Sequence, residues 1–309
     1  MRRNLNWAIS LAVVFLSADI SFAEIHPLAG TTALSFLKIG AGARMAAMAE
    51  AGIAIVDDAT ACYWNPARLS QMEQKHSVYF LHSAWIAETT IDEAYYAAKI
   101  GKHRVGIGGR LLSAGDIPLR EDAPSLEPID YYNAYDFFAG LSYAFVPSTF
   151  LSFGASYRRI YEKIYLNSGY GHSLQAGLNF NFFDGDLTLA GTADNIGPRV
   201  QMEHFLFKQP TTFKIGSSWR IPWTMFDGRW LASIDMVKPI DNHWQIRSGS
   251  EYLWKGQLAL RMGYKIGHDS ETYAVGLGYL WRSYDLDYAF VPNSYDLGNS
   301  HRFSLGIGF

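Results

Sequence analysis

A chain of 309 residues with 26 Lys and Arg against 29 Asp and Glu has a formal charge of −3, which argues against nucleic acid as a partner. Its one cysteine, Cys62, cannot make an internal disulfide. Beyond the first 23 residues no run of about 18 apolar residues offers a transmembrane helix, so any membrane residence must be through strands. The 19 Tyr, 19 Phe and 9 Trp suit the interfacial girdles of a membrane barrel.

Arg2 and Arg3, the apolar stretch Trp7 to Leu16 and the small residues around Ser21-Phe22-Ala23 read as a signal peptide over residues 1–23, cleaved after Ala23. Its removal takes two Arg and Asp19, moving the formal charge from 26 − 29 = −3 to 24 − 28 = −4. The expected mature start is Glu24, not a cysteine, so a lipoprotein anchor is unsupported. Residues 24–75 do not alternate. Gly40, Gly42 and Gly52 break them into short pieces, and Ala43 to Ala51 allows a brief helix. Pro66 suits a helix's first turn and Asn65 its cap, while Cys62 reads as a small buried hydrophobe.

From His76 onward the chain divides into segments of about ten residues with period-two alternation, the length of a tilted membrane strand. Fourteen strands are expected, over 76–86, 91–100, 103–113, 133–145, 149–161, 171–182, 186–195, 211–221, 229–238, 243–253, 257–266, 271–281, 283–290 and 301–309. In the twelfth, Tyr273, Val275, Leu277, Tyr279 and Trp281 oppose Ala274, Gly276, Gly278, Leu280 and Arg282. A β-sandwich also alternates. It does not explain the tight turns at Gly101-Lys102, Pro147-Ser148, Asp184-Gly185 and Lys255-Gly256 set against long stretches at Ala114–Tyr132 and Ile196–Pro210. Short periplasmic turns, long outer loops and an even strand count belong to an antiparallel outer-membrane β-barrel.

The inward face then carries charges of both signs, among them Arg110, Arg158, Asp194, Lys214, Asp235, Arg247, Glu251, Arg261, Asp287 and Arg302, fit for cross-strand pairing and not for an ion-selective ring. Fourteen strands are wider than side chains alone can fill, so residues 24–75 are expected inside as a plug. The closing stretch HRFSLGIGF ends an apolar row at Phe309, which we assign to barrel assembly, with outer-membrane lipid and the barrel-assembly machinery as partners.

The runs FLKIGAGAR (Phe36 to Arg44), Asp57-Asp58 and YWNPARL (Tyr63 to Leu69), followed by DNIGP from Asp194, RMGY from Arg261 and DYAF from Asp287, resemble the PorV/PorQ family of outer-membrane proteins. That family is itself similar to the FadL group of hydrophobic-compound transporters. The resemblance implies a plug motif at Asp57, Asp58, Asn65, Pro66 and Ala67. It departs at Met48-Ala49-Glu50-Ala51, where the family has a glycine-rich stretch, and at Arg68, where a glycine is common.

Two functions are implied: an accessory in type IX-like protein secretion or surface attachment, binding cargo signal domains or secretion components, or FadL-like transport of a hydrophobic small molecule. The charged loop residues Asp116, Arg120, Glu121 and Asp122 favour a protein partner, and Phe205, Leu206 and Phe207 suit a partner or a ligand. No cofactor, metal or catalytic residue is expected. His82, His172, His243 and His268 have no serine at a recognisable spacing, and His76 and His82 lack a third ligand.

Overall fold

Alternation of side chains resolves into strands in the computed structural model, which describes residues 26–120, 127–202 and 204–309. The expected signal peptide, and Glu121 and Asp122 of the charged loop, lie outside the described residues. The strands are β1 (His76–Ala84), β2 (Thr90–Ile100), β3 (His103–Leu119), β4 (Asp130–Phe145), β5 (Leu151–Ile164), β6 (Asn167–Phe182), β7 (Leu187–Ile196), β8 (Val200–Met202), β9 (Phe205–Phe207), β10 (Thr212–Arg220), β11 (Gly228–Pro239), β12 (Gln245–Trp254), β13 (Leu258–Ile266), β14 (Tyr273–Trp281), β15 (Tyr284–Pro292) and β16 (Asn299–Gly308).

Fourteen of them, all but β8 and β9, form one closed antiparallel barrel, as the alternation indicated. β1 closes on β16 with Ser77 opposite Gly308 and Ala84 opposite His301. Beyond the ladder, His76 and Phe309 exchange both backbone bonds, at 2.8 and 3.0 Å. The apolar rows face outward: Tyr273, Val275, Leu277, Tyr279 and Trp281 are exposed while Ala274, Gly276 and Gly278 are turned in. On β16 Phe303 is exposed and Arg302 and Ser304 are buried.

The stretch Ala114–Tyr132 is not a loop throughout. β3 and β4 run past the expected ends, with a register shift between Ala114 and Ile117 and Pro118 opposite Tyr131. Asp116 sits at that bulge with φ 52°. Pairing lapses at the bulge and resumes with Ile117, Pro118 and Leu119 opposite Tyr132, Tyr131 and Asp130. β3 to β6 have 17, 16, 14 and 16 residues, against the roughly ten that cross a bilayer. β5 and β6 are joined by Tyr165 and Leu166 alone, so on this side the rim rises as sheet. The stretch 196–210 likewise holds the β8–β9 hairpin, whose three-residue strands leave no readable periodicity.

Residues 34–72 fold into short helical pieces, Ser35–Lys38, Ala43–Ala47, Ala61–Trp64 and Pro66–Gln71, the first three separated by stretches that hold Gly40, Gly42 and Gly52 and the last two by Asn65. Leu34, Met45, Ile53, Trp64 and Leu69 from this segment form one apolar cluster with Tyr79, Tyr95, Phe138 and Ile160 of the strands. Its polar contacts reach strands all round the ring: Ala59 N–H donates to Ser77 of β1, Gly42 N–H to Glu93 of β2, Asn65 to the Leu178 carbonyl of β6, Ile53 N–H to Asp235 of β11 and Arg44 to Glu251 of β12.

Candidate functional site

The Asn65-Pro66-Ala67 element is a capped turn set into notches in the wall. Asn65, extended and fully buried, accepts the Ala67 N–H at Oδ1 (3.1 Å) and donates from Nδ2 to the carbonyls of Ile53 (3.1 Å) and Leu178 (3.2 Å). Pro66 begins the helical turn, where its missing N–H costs nothing. The wall has glycine where this turn approaches. A Cβ on Gly154 would stand 2.2 Å from the Ala67 nitrogen, and one on Gly177 would stand 2.2 Å from Asn65 Oδ1.

Backbone carbonyls of the segment are read by inward side chains. Arg158 and Gln175 both donate to the Tyr63 carbonyl at 2.9 Å, and Gln175 also donates to Asp194 at 2.8 Å. Arg68, where the family often has glycine, donates to the Val56 carbonyl (2.9 Å) and Asn179 (3.3 Å). Burial pushes its guanidinium down to about 9, against the pull of Asp57.

Asp57 and Asp58 stand side by side with different duties. Asp57 accepts from Arg44 at 2.6 Å, beginning an alternating chain in which Arg44 bonds Glu251 (2.9 Å), Glu251 bonds Arg261 (2.5 Å) and Arg261 bonds Asp287 (2.6 Å). This chain ties the segment to β12, β13 and β15. Asp58 accepts from the Thr60 N–H at 2.7 Å and from its hydroxyl. Burial, then the neighbouring Asp57 charge, lift Asp58 to about 6. Both carboxylates line a cavity of about 870 Å³ at the short-turn end, together with Arg44, Arg220, Trp223 and Glu251.

Two further anchors stand outside the motif. Glu50 accepts from Arg247 (2.8 Å), lies 3.2 Å from Lys265 and accepts the Gly40 N–H. Burial opposes its charge, but Lys265, Arg247 and Arg302 outweigh that and hold the carboxyl well below its usual range. Ala49 and Glu50 have φ 52° and 62°, so the left-handed backbone persists where the family has glycines. The second anchor is the Arg110–Glu93 pair, fully buried at 2.5 Å. Arg110 also donates to the Phe36 and Ile39 carbonyls, and its guanidinium lies 4.7 Å from the Tyr63 ring centre. Glu93 escaped the sequence reading; its signal is a lone carboxylate in the inward row Ile91, Glu93, Tyr95 and Ala97.

At the outer rim Phe205 and Leu206 are 66% and 59% exposed on a hairpin that packs Met202 over Gly169 of β6. Phe207 is half-buried. Asp116 donates its N–H to Asn133 at the bulge, and Arg120 is exposed just past β3. Phe309, at the barrel seam, stacks on His76 with 5.2 Å between ring centres. Cys62 is buried, and that burial pushes its thiol up to about 12.

No relative is found among curated proteins. Among solved structures, the chain is similar to the CymD monoaromatic hydrocarbon channel, with TM-score 0.61, 13% identity, 87% of this chain and 98% of that one covered. It is equally similar to the toluene transporter TodX of Pseudomonas putida, with TM-score 0.60, 13% identity, and 87% and 99% covered. At that identity the likeness is one of fold, a closed 14-strand antiparallel barrel. Within this fold, residues 24–221, which hold the anchored segment, the Asn-Pro-Ala turn and the strands β5 and β6 that receive that turn, match the family of type IX secretion system protein PorV, and the chain belongs to that family.

Proposed function

We propose that this chain is an accessory barrel of type IX-like protein secretion or surface attachment. In it residues 24–75 serve as a fixed plug, held by Asp57, Asp58 and the Asn65-Pro66-Ala67 turn. The outer rim, with Asp116, Arg120, Phe205, Leu206 and Phe207, receives cargo signal domains or secretion components. The family match over residues 24–221 carries this assignment. Transport of a hydrophobic small molecule is the second reading, favoured by the fold shared with two hydrocarbon channels. Against it, the cavities at both ends set arginine, lysine and aspartate among their apolar side chains, whereas apolar solutes bind in sites with few charged groups. Phe309 is assigned to recognition by the barrel-assembly machinery, and no residue to catalysis.

The test is Phe205→Ser with Leu206→Ser in the native host, with surface-anchored cargo and uptake of radiolabelled toluene and a long-chain fatty acid measured side by side. The folded, heat-modifiable band on detergent gels verifies that the variant assembles. Loss of cargo display with unchanged uptake is expected. Unchanged display with impaired uptake rejects the secretion role and supports transport.

A further inference from the structure

The second cavity, about 220 Å³, lies at the long-loop end between the segment and the ends of β7, β10, β11 and β12. Lys38 of the segment, in the lining, is tied to Asp241 at 2.9 Å, and the strands add three inward cations: Arg158, Lys214 and Arg247. These three are largely buried, with Arg158 3% and Arg247 7% exposed and the Lys214 side chain 10% exposed. The lining has two carboxylates, and neither is free at depth. Asp194 is taken by Lys214 at 2.7 Å and by Gln175 at 2.8 Å. Asp269 sits exposed at the rim.

Two of the three strand cations keep a spare donor, and the third, Arg158, has no carboxylate partner: its guanidinium lies 5.0 and 5.4 Å from the Tyr63 and Phe138 ring centres. Among its described hydrogen bonds Arg158 donates only to neutral oxygens, those of Cys62, Tyr63, Gln175 and Asn195. Arg247 binds Glu50 and Gln245 through its terminal nitrogens, while its buried Nε has no partner. Lys214 has three N–H donors, and one is used on Asp194. A buried donor without an acceptor and a buried guanidinium without a counter-ion are both costly, and one bound anion relieves both.

We propose that this cavity is a binding site for a small oxyanion, carboxylate or phosphate, held by Lys214, Arg247 and Arg158 beneath the outer mouth. The volume sets the size class. It is below the roughly 300–1,000 Å³ that encloses a drug-sized ligand, so it admits a headgroup-sized anion and excludes an acyl chain. Thr212 and Asn242 in the lining supply neutral polar contacts around the charge. His268, also in the lining, is pushed down to about 4 by burial and by Lys265, and contributes no charge at neutral pH.

The experiment is isothermal titration of the full folded chain in detergent with sodium phosphate and, separately, with sodium acetate, at constant ionic strength set by chloride. Saturable single-site binding of either anion is expected, and the anion that binds more tightly identifies the class. Lys214→Gln should weaken it at least about tenfold, the worth of one charge-assisted hydrogen bond. Asp269→Lys, at the exposed rim, should tighten it several-fold and keeps the test decisive if Lys214→Gln does not assemble. Absence of saturable binding of both anions, or binding indifferent to both substitutions, overturns the proposal.

Discussion

A guanidinium and a carboxylate buried together inside a lipid-surrounded ring survive only as a matched set. Arg110 and Glu93 are each without solvent contact, and their remaining polar atoms are taken by the Phe36 and Ile39 carbonyls and the Gly42 N–H. Removing one partner strands the other, at about 3–5 kcal/mol. Arg110→Met and Glu93→Leu should therefore each lower the temperature at which the heat-modifiable band is lost, and the double variant should lose less than the two summed. Additive losses would mean that the pair is not coupled. Two groups outside the spanning strands contribute to the pH response with opposite sign. His268, normally near 6.5, titrates at about 4 in the folded chain. The unfolded chain thus takes up a proton there first, and stability is lost as pH falls from 6.5 through 4. Asp58, normally near 3.8, titrates at about 6, so its contribution runs the other way: present below 3.8 and lost as pH rises through 6. His268→Gln should flatten the acid loss and Asp58→Asn should raise the melting temperature at pH 8. A pH profile unchanged by either substitution would remove these sites from the account. Arg110 was legible because it follows Gly106 and Gly108 in the inward row of β3; the pairing of Glu93 with it was not, since register across strands is invisible to periodicity within one.

At the scale of elements, the ladder was readable because each wall faces lipid on one side and polar or small side chains on the other. β13 and β14, with nine residues each, fall within the expected spans 257–266 and 271–281. What periodicity could not supply was where strands stop once they leave the bilayer. β3 goes on pairing with β4 at Ile117–Leu119 beyond a bulge at Gly115-Asp116 that breaks the alternation, and the β8–β9 hairpin is too short to show a period. The fit between the segment and the wall was also hidden, because a glycine inside a strand looks the same whether it fills space or makes room. Here it makes room. Gly154→Val and Gly177→Val should each drive a side chain into the Asn65-Pro66-Ala67 turn and cost about 1–3 kcal/mol or more as overpacking. The same substitution at Gly191, whose nearest neighbour stands 3.8 Å away, should be far milder. Equal effects at all three positions, read from the gel-shift midpoint, would show that no specific notch exists. At the seam, Phe309→Asp puts a charge beside His76 on the outward row and should deplete the protein from the outer membrane; normal levels would dismiss its proposed role in assembly.

For the whole molecule the decisive question is whether segment and barrel melt as one body. The ties between them are of every kind: the Asp57-Arg44-Glu251-Arg261-Asp287 chain, the Glu50 cluster, the Arg110–Glu93 pair and a shared apolar cluster. They are also spread round the ring, so no single hinge releases the segment. A transport barrel needs its obstruction to shift locally, whereas a secretion accessory that presents its rim to a protein can keep the interior locked. Cys62 distinguishes these without any new label site. Its sulfur is buried, a Cβ at Gly106 of β3 would stand 2.3 Å from it, and its thiol titrates near 12. Thiolate is the reactive form, so a maleimide should meet almost none in the folded state. Labelling of Cys62 in the intact protein should be negligible at room temperature and should rise on heating with the same midpoint as loss of the compact gel band. A labelling transition well below that midpoint would mean that the segment opens alone, and would turn the balance from the locked accessory toward the channel.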